Sequence, residues 1–377
     1  MTIKVLILGA CPPPYTGQSI SLEKLKSSLL EDNDFVVKHV DFAPKKKHTT
    51  GRLNYTRVYE TVMIILKYFW YLIAFKPNII YLTKGSSKWG FIRDYTFQIL
   101  QKLFSPKTRF IVHLKGGNYD VFHGRSSRTL QYFILDFLKK CHTIIVLGPS
   151  LIKMYDFCPS LSNKIKVVYN ALPQDNKLSF LQKENDIIHV TYLSNMILSK
   201  GYIDILHASE KMKELKIHFH FAGEFMLSPD DEQSGSIIER KEEFLGFIKS
   251  HKLTDTVTYH GVVIGSEKNK LLELSDIFIL PSYYHVEGQP ISIIEAMSCC
   301  NAIVTTKYRS IPDIVSEGLN SIFVKEKSSE DIVSALTEFY HNRMKLRDFQ
   351  SNSYQKYLEK HTWERHYQSM IRIFKEE

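Results

Sequence analysis

The sequence predicts an α/β protein built from two doubly wound domains, and three observations carry that prediction. Short β-branched and aromatic runs alternate with longer amphipathic stretches, which is the signature of βαβ units on a parallel sheet. The alternation occurs twice along 377 residues, a length that suits about two domains at roughly 100–200 residues each. Between the two series, LPQDNKLSFLQKEND (172–186) is polar, contains a proline and lacks apolar periodicity, so it reads as a linker.

In the first series the strands are VLILGA, FVVKHVDF, IIYLT, RFIVHLKG, TIIVLG and IKVVYNA. In the second they are IIHVTYLS, IHFHFAG, VTYHG, IFILPS, AIVTT and SIFVK, with helices expected over 200–213 and 236–251. The expected domains are residues 1–171 and 187–360. Parallel sheets gather their ligands at the carboxyl ends of their strands, and a cleft between two such domains would receive loops from both.

Composition narrows the setting. MTIKVLILGACPPP ends its short apolar run in prolines rather than at a small-residue cleavage site, so no cleavable signal is read and a cytoplasmic location is expected. The apolar segment 61–75 carries Lys67 and is shorter than the roughly 20 residues a bilayer span needs. Cysteines 11, 141, 158, 299 and 300 form no CxxC pair, as expected of reduced thiols. His218 and His220 share a strand face, yet no third ligand stands near them in sequence, so no metal is assigned. Residues 1–170 hold 25 Lys/Arg against 10 Asp/Glu, whereas 171–377 hold 24 against 30. A basic first half points to an anionic partner; nucleic acid fits poorly, because the aromatic residues do not interleave with basic ones as a stacking platform requires.

Four loops that follow strands carry unusual residues. In GACPPPYTGQSISLEKL, Gly17 opens a helix whose first N–H groups suit an anion, although GxGxxG and GxxxxGK[ST] are both missing. In RFIVHLKGGNYD, His113 nears a strand end beside a glycine pair, where an imidazole can bond a hydroxyl or move a proton. In YLSNMILSKGYIDIL, Lys200 stands at a helix start, against the macrodipole unless an anion is present. In SYYHVEGQPISIIEAM, Pro290 reads as a first helical residue, with Glu287 before the helix and Glu295 in its second turn. A carboxylate in Glu295's place can accept the vicinal hydroxyls of a ribose while the helix end faces a diphosphate.

EGQPISIIEAM, followed by IPDIV and EGLNSIFV, resembles the paired-glutamate motif of retaining glycosyltransferases of family 4, which have the two-Rossmann GT-B fold. The resemblance runs from the proline-glycine loop to the HTWERHYQSMIRIF helix, so nearly the whole chain is covered. It implies that Glu295 holds the nucleotide ribose, and that Glu287 with the backbone of Gly288 and Gln289 lies against the transferred sugar and diphosphate. It implies that Lys200 binds the diphosphate, that His113 stands beside the transferred sugar, that Gly17 lies under the diphosphate, and that Val262 and Val263 meet the base. Catalytic roles fall to His113, Glu287 and Lys200. The last helix, 361–377, is expected to cross back onto the first domain.

Departures from the family pattern are local: Asn195 replaces an arginine, and Cys300, Arg309 and Ser321 stand where glycine is usual. The family needs no metal, so no cofactor is expected; Asp32-Asn33-Asp34 mimics a DxD motif but precedes a strand in a solvated turn. The expected reaction moves a sugar from a nucleotide-diphosphate sugar, UDP before GDP, to a saccharide acceptor in surface-polysaccharide synthesis. The acceptor is expected to be lipid-diphosphate-linked and the enzyme peripheral on the inner membrane face, through KKKHTTGR (45–52) and KYFWYLIAF. The alternatives are a weakened sugar-nucleotide-binding module, a sugar-nucleotide epimerase and a phosphorylase.

Overall fold

The computed structural model describes residues 2–13, 16–43, 55–173, 186–228 and 235–376. They divide into two compact units: residues 1–173 with 363–377, and residues 174–362. The expected linker therefore lies almost wholly outside the described residues, as does KKKHTTGR.

In the first unit, strands β1 (Ile3–Gly9), β2 (Phe35–Asp41), β3 (Ile79–Lys84), β4 (Arg109–Leu114), β5 (Thr143–Val146) and β6 (Ile165–Val167) form one parallel sheet in the order β2-β1-β3-β4-β5-β6. Helices α1 (Gly17–Glu31), α2 (Tyr55–Ala74), α3 (Lys88–Phe104), α4 (Tyr119–Gly124) and α5 (Arg128–Lys140) alternate with them. Every residue of β3 is buried, as an apolar run inside a two-sided sheet must be, whereas the edge strand β2 alternates. One face of the sheet packs Leu6, Ile80, Val112 and Ile144 beneath α2, α3 and α5.

The other face packs Val5, Ile7, Tyr81 and Ile145 against α1 and against a helix from the far end of the chain, α13 (Trp363–Lys375), which contributes Met370, Ile373 and Phe374. Polar contacts fix α13 in place. Trp363 Nε1 donates to Ser28 Oγ at 3.0 Å, Tyr367 Oη donates to Asp32 Oδ2 at 3.0 Å, and Lys375 pairs with Asp34. The DxD-like aspartates thus hold a helix.

The second unit contains β7 (Ile188–Leu193), β8 (Ile217–Ala222), β9 (Val257–Gly261), β10 (Ile277–Leu280), β11 (Ala302–Thr305) and β12 (Ser321–Phe323), parallel and ordered β12-β11-β10-β7-β8-β9. Its helices are α6 (Tyr202–Lys211), α7 (Ile237–Ser250), α8 (Gly265–Leu274), α9 (Ile291–Ser298), α10 (Ile311–Ile314), α11 (Ser329–His341) and α12 (Arg343–Lys360). Both predicted sheets are present, each doubly wound. Their orders differ: the chain reverses its direction of winding between β1 and β3 in the first sheet and between β7 and β10 in the second, and such switch points are where open α/β sheets bind ligands.

Candidate functional site

The loops that leave β7 and β10 are stitched together by backbone. After β7 the chain makes one 3-10 turn, Leu198–Lys200, and Gly201 ends it at φ +79°, a conformation that L side chains avoid. A Cβ at Gly201 would stand 2.6 Å from the Pro281 carbonyl oxygen, so the loop after β10 comes as close as only glycine allows. Nearby, the Tyr283 N–H donates to the Ser199 carbonyl at 2.8 Å. Gly223, after β8, is pressed on the same loop, since a Cβ there would meet the Ser194 carbonyl oxygen at 1.8 Å.

This stitching brings Lys200 and Glu287 together. Lys200 Nζ lies 3.5 Å from Glu287 Oε2, donates to Ser194 Oγ at 2.9 Å and stands 5.4 Å from the Tyr284 ring centroid. Glu287 Oε2 also accepts from Ser282 Oγ at 2.9 Å. The loop carrying Glu287, Gly288 and the buried Gln289 is braced from behind by the loop after β11: Thr306 Oγ1 donates to the Ser282 carbonyl, and Ser310 Oγ to the Gly288 carbonyl at 2.5 Å.

Pro290 is the N-cap of α9, one position earlier than the sequence suggests, because its ψ of 114° is extended. No side chain caps this helix, so its first N–H groups keep the partial positive charge of a helix start. Glu295 occupies the second turn, as read from the sequence, and its Oε1 pairs with Lys268 of α8. Val262, exposed, and Val263 lie in the short connection between β9 and α8. Asn195 is exposed, and its backbone carbonyl accepts from the Tyr192 hydroxyl at 2.8 Å. Cys300 and Arg309 take φ of +53° and +48°, the left-handed backbone that a glycine would adopt, whereas Ser321 is an ordinary β12 residue.

Gly17 and His113 belong to the first unit. Gly17 is the first residue of α1, whose start is closed by a capping box: Thr16 Oγ1 accepts from the Ser19 N–H at 3.1 Å and Ser19 Oγ from the Thr16 N–H at 2.9 Å. His113 stands near the carboxyl end of its strand, as expected, but its side chain is closed off from solvent. It is the last residue but one of β4, fully buried, with Nδ1 2.7 Å from the Tyr81 hydroxyl and Nε2 without a partner among the described residues. Burial, then the charges of Lys115 and His366, hold its pKa well below the ordinary value, so the ring is neutral. Lys115, bonded to Asn170 Oδ1 at 3.4 Å, is pushed down to about 7 by burial.

Sequence reasoning missed Ser194, Ser282, Tyr284 and Lys268; only Ser282, ending the apolar run IFILP, carried a local signal. It also missed that His218 and His220 have company. His189 Nδ1 lies 2.9 Å from His220 Nε2, and His220 Nδ1 lies 3.0 Å from His260 Nε2, a line of imidazoles across β7, β8 and β9. Among the described residues no group of three or more His, Cys, Asp or Glu is arranged to hold a metal ion.

A lysine-carboxylate pair at a switch point, beside an uncapped helix start, is the geometry of a site for a phosphate-bearing ligand. Residues 173–356 match the family of glycosyl transferases group 1. The matched segment contains every candidate residue of the second unit. An uncharacterized 41.2 kDa protein in the cps region of Klebsiella pneumoniae is 25% identical over 207 residues, 52% of each chain. The N,N'-diacetylbacillosaminyl-diphospho-undecaprenol alpha-1,3-N-acetylgalactosaminyltransferase of Campylobacter jejuni is 35% identical over 80 residues, 20% of this chain and 21% of that one. The chain spans about half, or less, of the length of the curated relatives it matches. Among solved structures, Anabaena Alr3699/HepE in complex with UDP and glucose superposes with a TM-score of 0.71 at 13% identity, covering 98% of this chain and 99% of that one. That likeness establishes the fold, two doubly wound units of the GT-B kind.

Proposed function

We propose that the protein is a retaining glycosyltransferase that moves a sugar from a nucleoside diphosphate, UDP before GDP, to a saccharide acceptor in surface-polysaccharide synthesis. The observation that carries this reading is the Lys200–Glu287 pair beside the uncapped start of α9, within the segment matched by the glycosyltransferase family. Glu295 accepts the ribose, Lys200 and the α9 start meet the diphosphate, and Glu287 with Gly288 and Gln289 faces the sugar. In the step itself, the bond from the anomeric carbon to the diphosphate oxygen breaks as the acceptor oxygen bonds to the same face of that carbon. The acceptor's proton passes to the departing diphosphate, so the protein's part is to position the reactants and stabilise charge, and no metal is called for. Neutral, buried His113 is a hydrogen-bonding partner for a sugar hydroxyl rather than a cation.

Calorimetric titration of UDP and GDP into the protein and its Glu295→Ala variant tests the donor site. Micromolar binding of one nucleotide, lost in the variant, is expected; no binding by the parent protein would sink the reading. Binding with no turnover of any nucleotide sugar would favour the weakened module, in keeping with Asn195.

For the acceptor we propose a lipid-diphosphate-linked saccharide, in line with the name of the Campylobacter relative, met by the enzyme at the cytoplasmic face of an anionic membrane. Tyr59, Met63, Leu66 and Trp70 of α2 and Ile99 and Leu103 of α3 are exposed apolar residues, and Phe69 of α2 packs edge-on against Phe104 of α3, which joins the two helices. Among the described residues no helix is long and apolar enough to cross a membrane. An apolar face on a basic unit suits shallow insertion between anionic headgroups, where each cation contributes about 1 kcal/mol. Co-sedimentation with anionic liposomes that weakens in salt and on Trp70→Ser is expected, and its failure would remove the membrane from the proposal.

A further inference from the structure

We propose that Lys268 is a positioning residue for nucleotide recognition, holding the Glu295 carboxylate so that one of its oxygens accepts a ribose hydroxyl. The inference rests on the donor-site reading above and adds to it a residue that the paired-glutamate motif does not contain.

The geometry is specific. Lys268 lies on the first exposed turn of α8, directly after the Val262-Val263 connection, and its ammonium engages Oε1 of Glu295, while among the described residues no side chain bonds Oε2. The side chains are 29% and 19% exposed, so the pair is more shielded than a surface ion pair, which contributes little. It also joins two helices, α8 and α9, that begin after strands three places apart in the sheet, the edge strand β9 and the inner strand β10. A carboxylate on a short helix with a free second torsion accepts hydroxyls in many orientations. Fixing one oxygen with a cation leaves the other pointing one way, and a hydrogen bond to an oriented, charged acceptor is the kind that discriminates against a ligand lacking the hydroxyl.

Charge gives a second argument. Each glutamate of the motif has its own lysine: Glu287 has Lys200 and Glu295 has Lys268. Where the family resemblance places an arginine, this chain has the neutral Asn195, so without Lys268 the site would hold two carboxylates and one cation. A diphosphate would then enter a region of net negative charge. Lys268 removes that conflict from the ribose end, leaving Lys200 for the phosphates.

The test compares parent protein, Lys268→Met and Lys268→Arg by calorimetric titration with UDP or GDP, whichever binds, and with its 2′-deoxy and 3′-deoxy forms. Lys268→Met is expected to weaken the ribonucleotide about tenfold while weakening the deoxy forms much less, so that the preference for ribose collapses; Lys268→Arg retains most of it. A purely structural role would shift the melting temperature and all ligands together. If Lys268→Met binds as the parent does, or loses affinity with its ribose preference intact, the positioning role is overturned and the donor-site reading stands. If the parent binds neither nucleotide, both are overturned.

Discussion

The two units each place a lysine-carboxylate pair at a switch point of the sheet, and the two pairs are built for opposite ends. In the first unit Lys84, the last residue of β3, meets Asp94 of α3 at 3.2 Å with both side chains 1% exposed. Its ammonium stands 4.9 Å from the ring centroids of both Phe91 and Phe137, and Arg93 adds a second cation to Asp94 at 2.7 Å. In the second unit Lys200 and Glu287 lie 3.5 Å apart, 14% and 8% exposed, with one ring beside them. Position in a fold therefore does not make a site. The rings around Lys84 replace water on every side that a ligand would need, so its charge is committed to holding α3 on β3, whereas Lys200 keeps an approach.

Breaking each pair sharpens the contrast. Asp94→Ala leaves a buried ammonium uncompensated and is expected to cost about 3–5 kcal/mol, read as a lowered denaturant midpoint. A loss under about 1 kcal/mol would show that the aromatic enclosure is not tight. Burial lowers the Lys84 pKa and Asp94 raises it back, so the same variant should leave Lys84 neutral at a lower pH than in the parent. Lys200→Ala should move the midpoint less than Asp94→Ala, because Glu287 keeps its bond from Ser282 Oγ, yet lower turnover about 10²-fold, as removal of one donor from a developing anion does. Near-normal turnover would put the two pairs in the same class.

A smaller effect tests the imidazole line of the second unit. Burial first, then the neighbouring imidazoles, pushes His220 down to about 3, and burial lowers His218 and His260 as well. The charged neighbours include Asp276, whose Oδ2 accepts from the His189 N–H at 2.9 Å, and Asp255, whose backbone meets His218. These rings are neutral when folded and titrate near 6.5 when unfolded, so the unfolded chain binds the extra protons. Their contribution is complete above pH 6.5 and is lost as pH falls from there, for His220 toward about 3, at about 1.4 kcal/mol per pH unit for each proton. Denaturation at pH 7.5 and pH 5.5 should show a slope that His220→Gln reduces; an unchanged slope would assign it to other histidines lowered by burial, His113 and His366 of the first unit among them.

The strands were legible because a two-sided parallel sheet forces continuous apolar runs, as in IIYLT and IFIL. The placement of Lys200 and Glu287 in loops and of Glu295 in a helix was legible because the loop-helix pattern around them is short and local. What escaped shares one cause, dependence on residues distant in sequence. Lys268 sits in the polar stretch GSEKNKLLEL and acquires meaning only when α9 comes alongside. His189 and His260 flank His220 only through strand pairing, and His113 looks accessible beside its glycines until Tyr81 and α13 cover it. Cys300 and Arg309 show the converse: a sequence departure that the backbone ignores, each keeping a glycine's left-handed conformation at a cost of about 1–2 kcal/mol.

The chain leaves its first unit after β6, builds the whole of the second, and then returns through α13. During synthesis this inverts the usual order, in which the amino-terminal domain closes first. The second unit has all its strands and helices before α13 exists, while the first waits with Val5, Ile7 and Tyr81 lacking the cover of Met370, Ile373 and Phe374. Completion of the first unit thereby waits for α13, and substitutions that detach this helix would expose the centre of the domain made earliest.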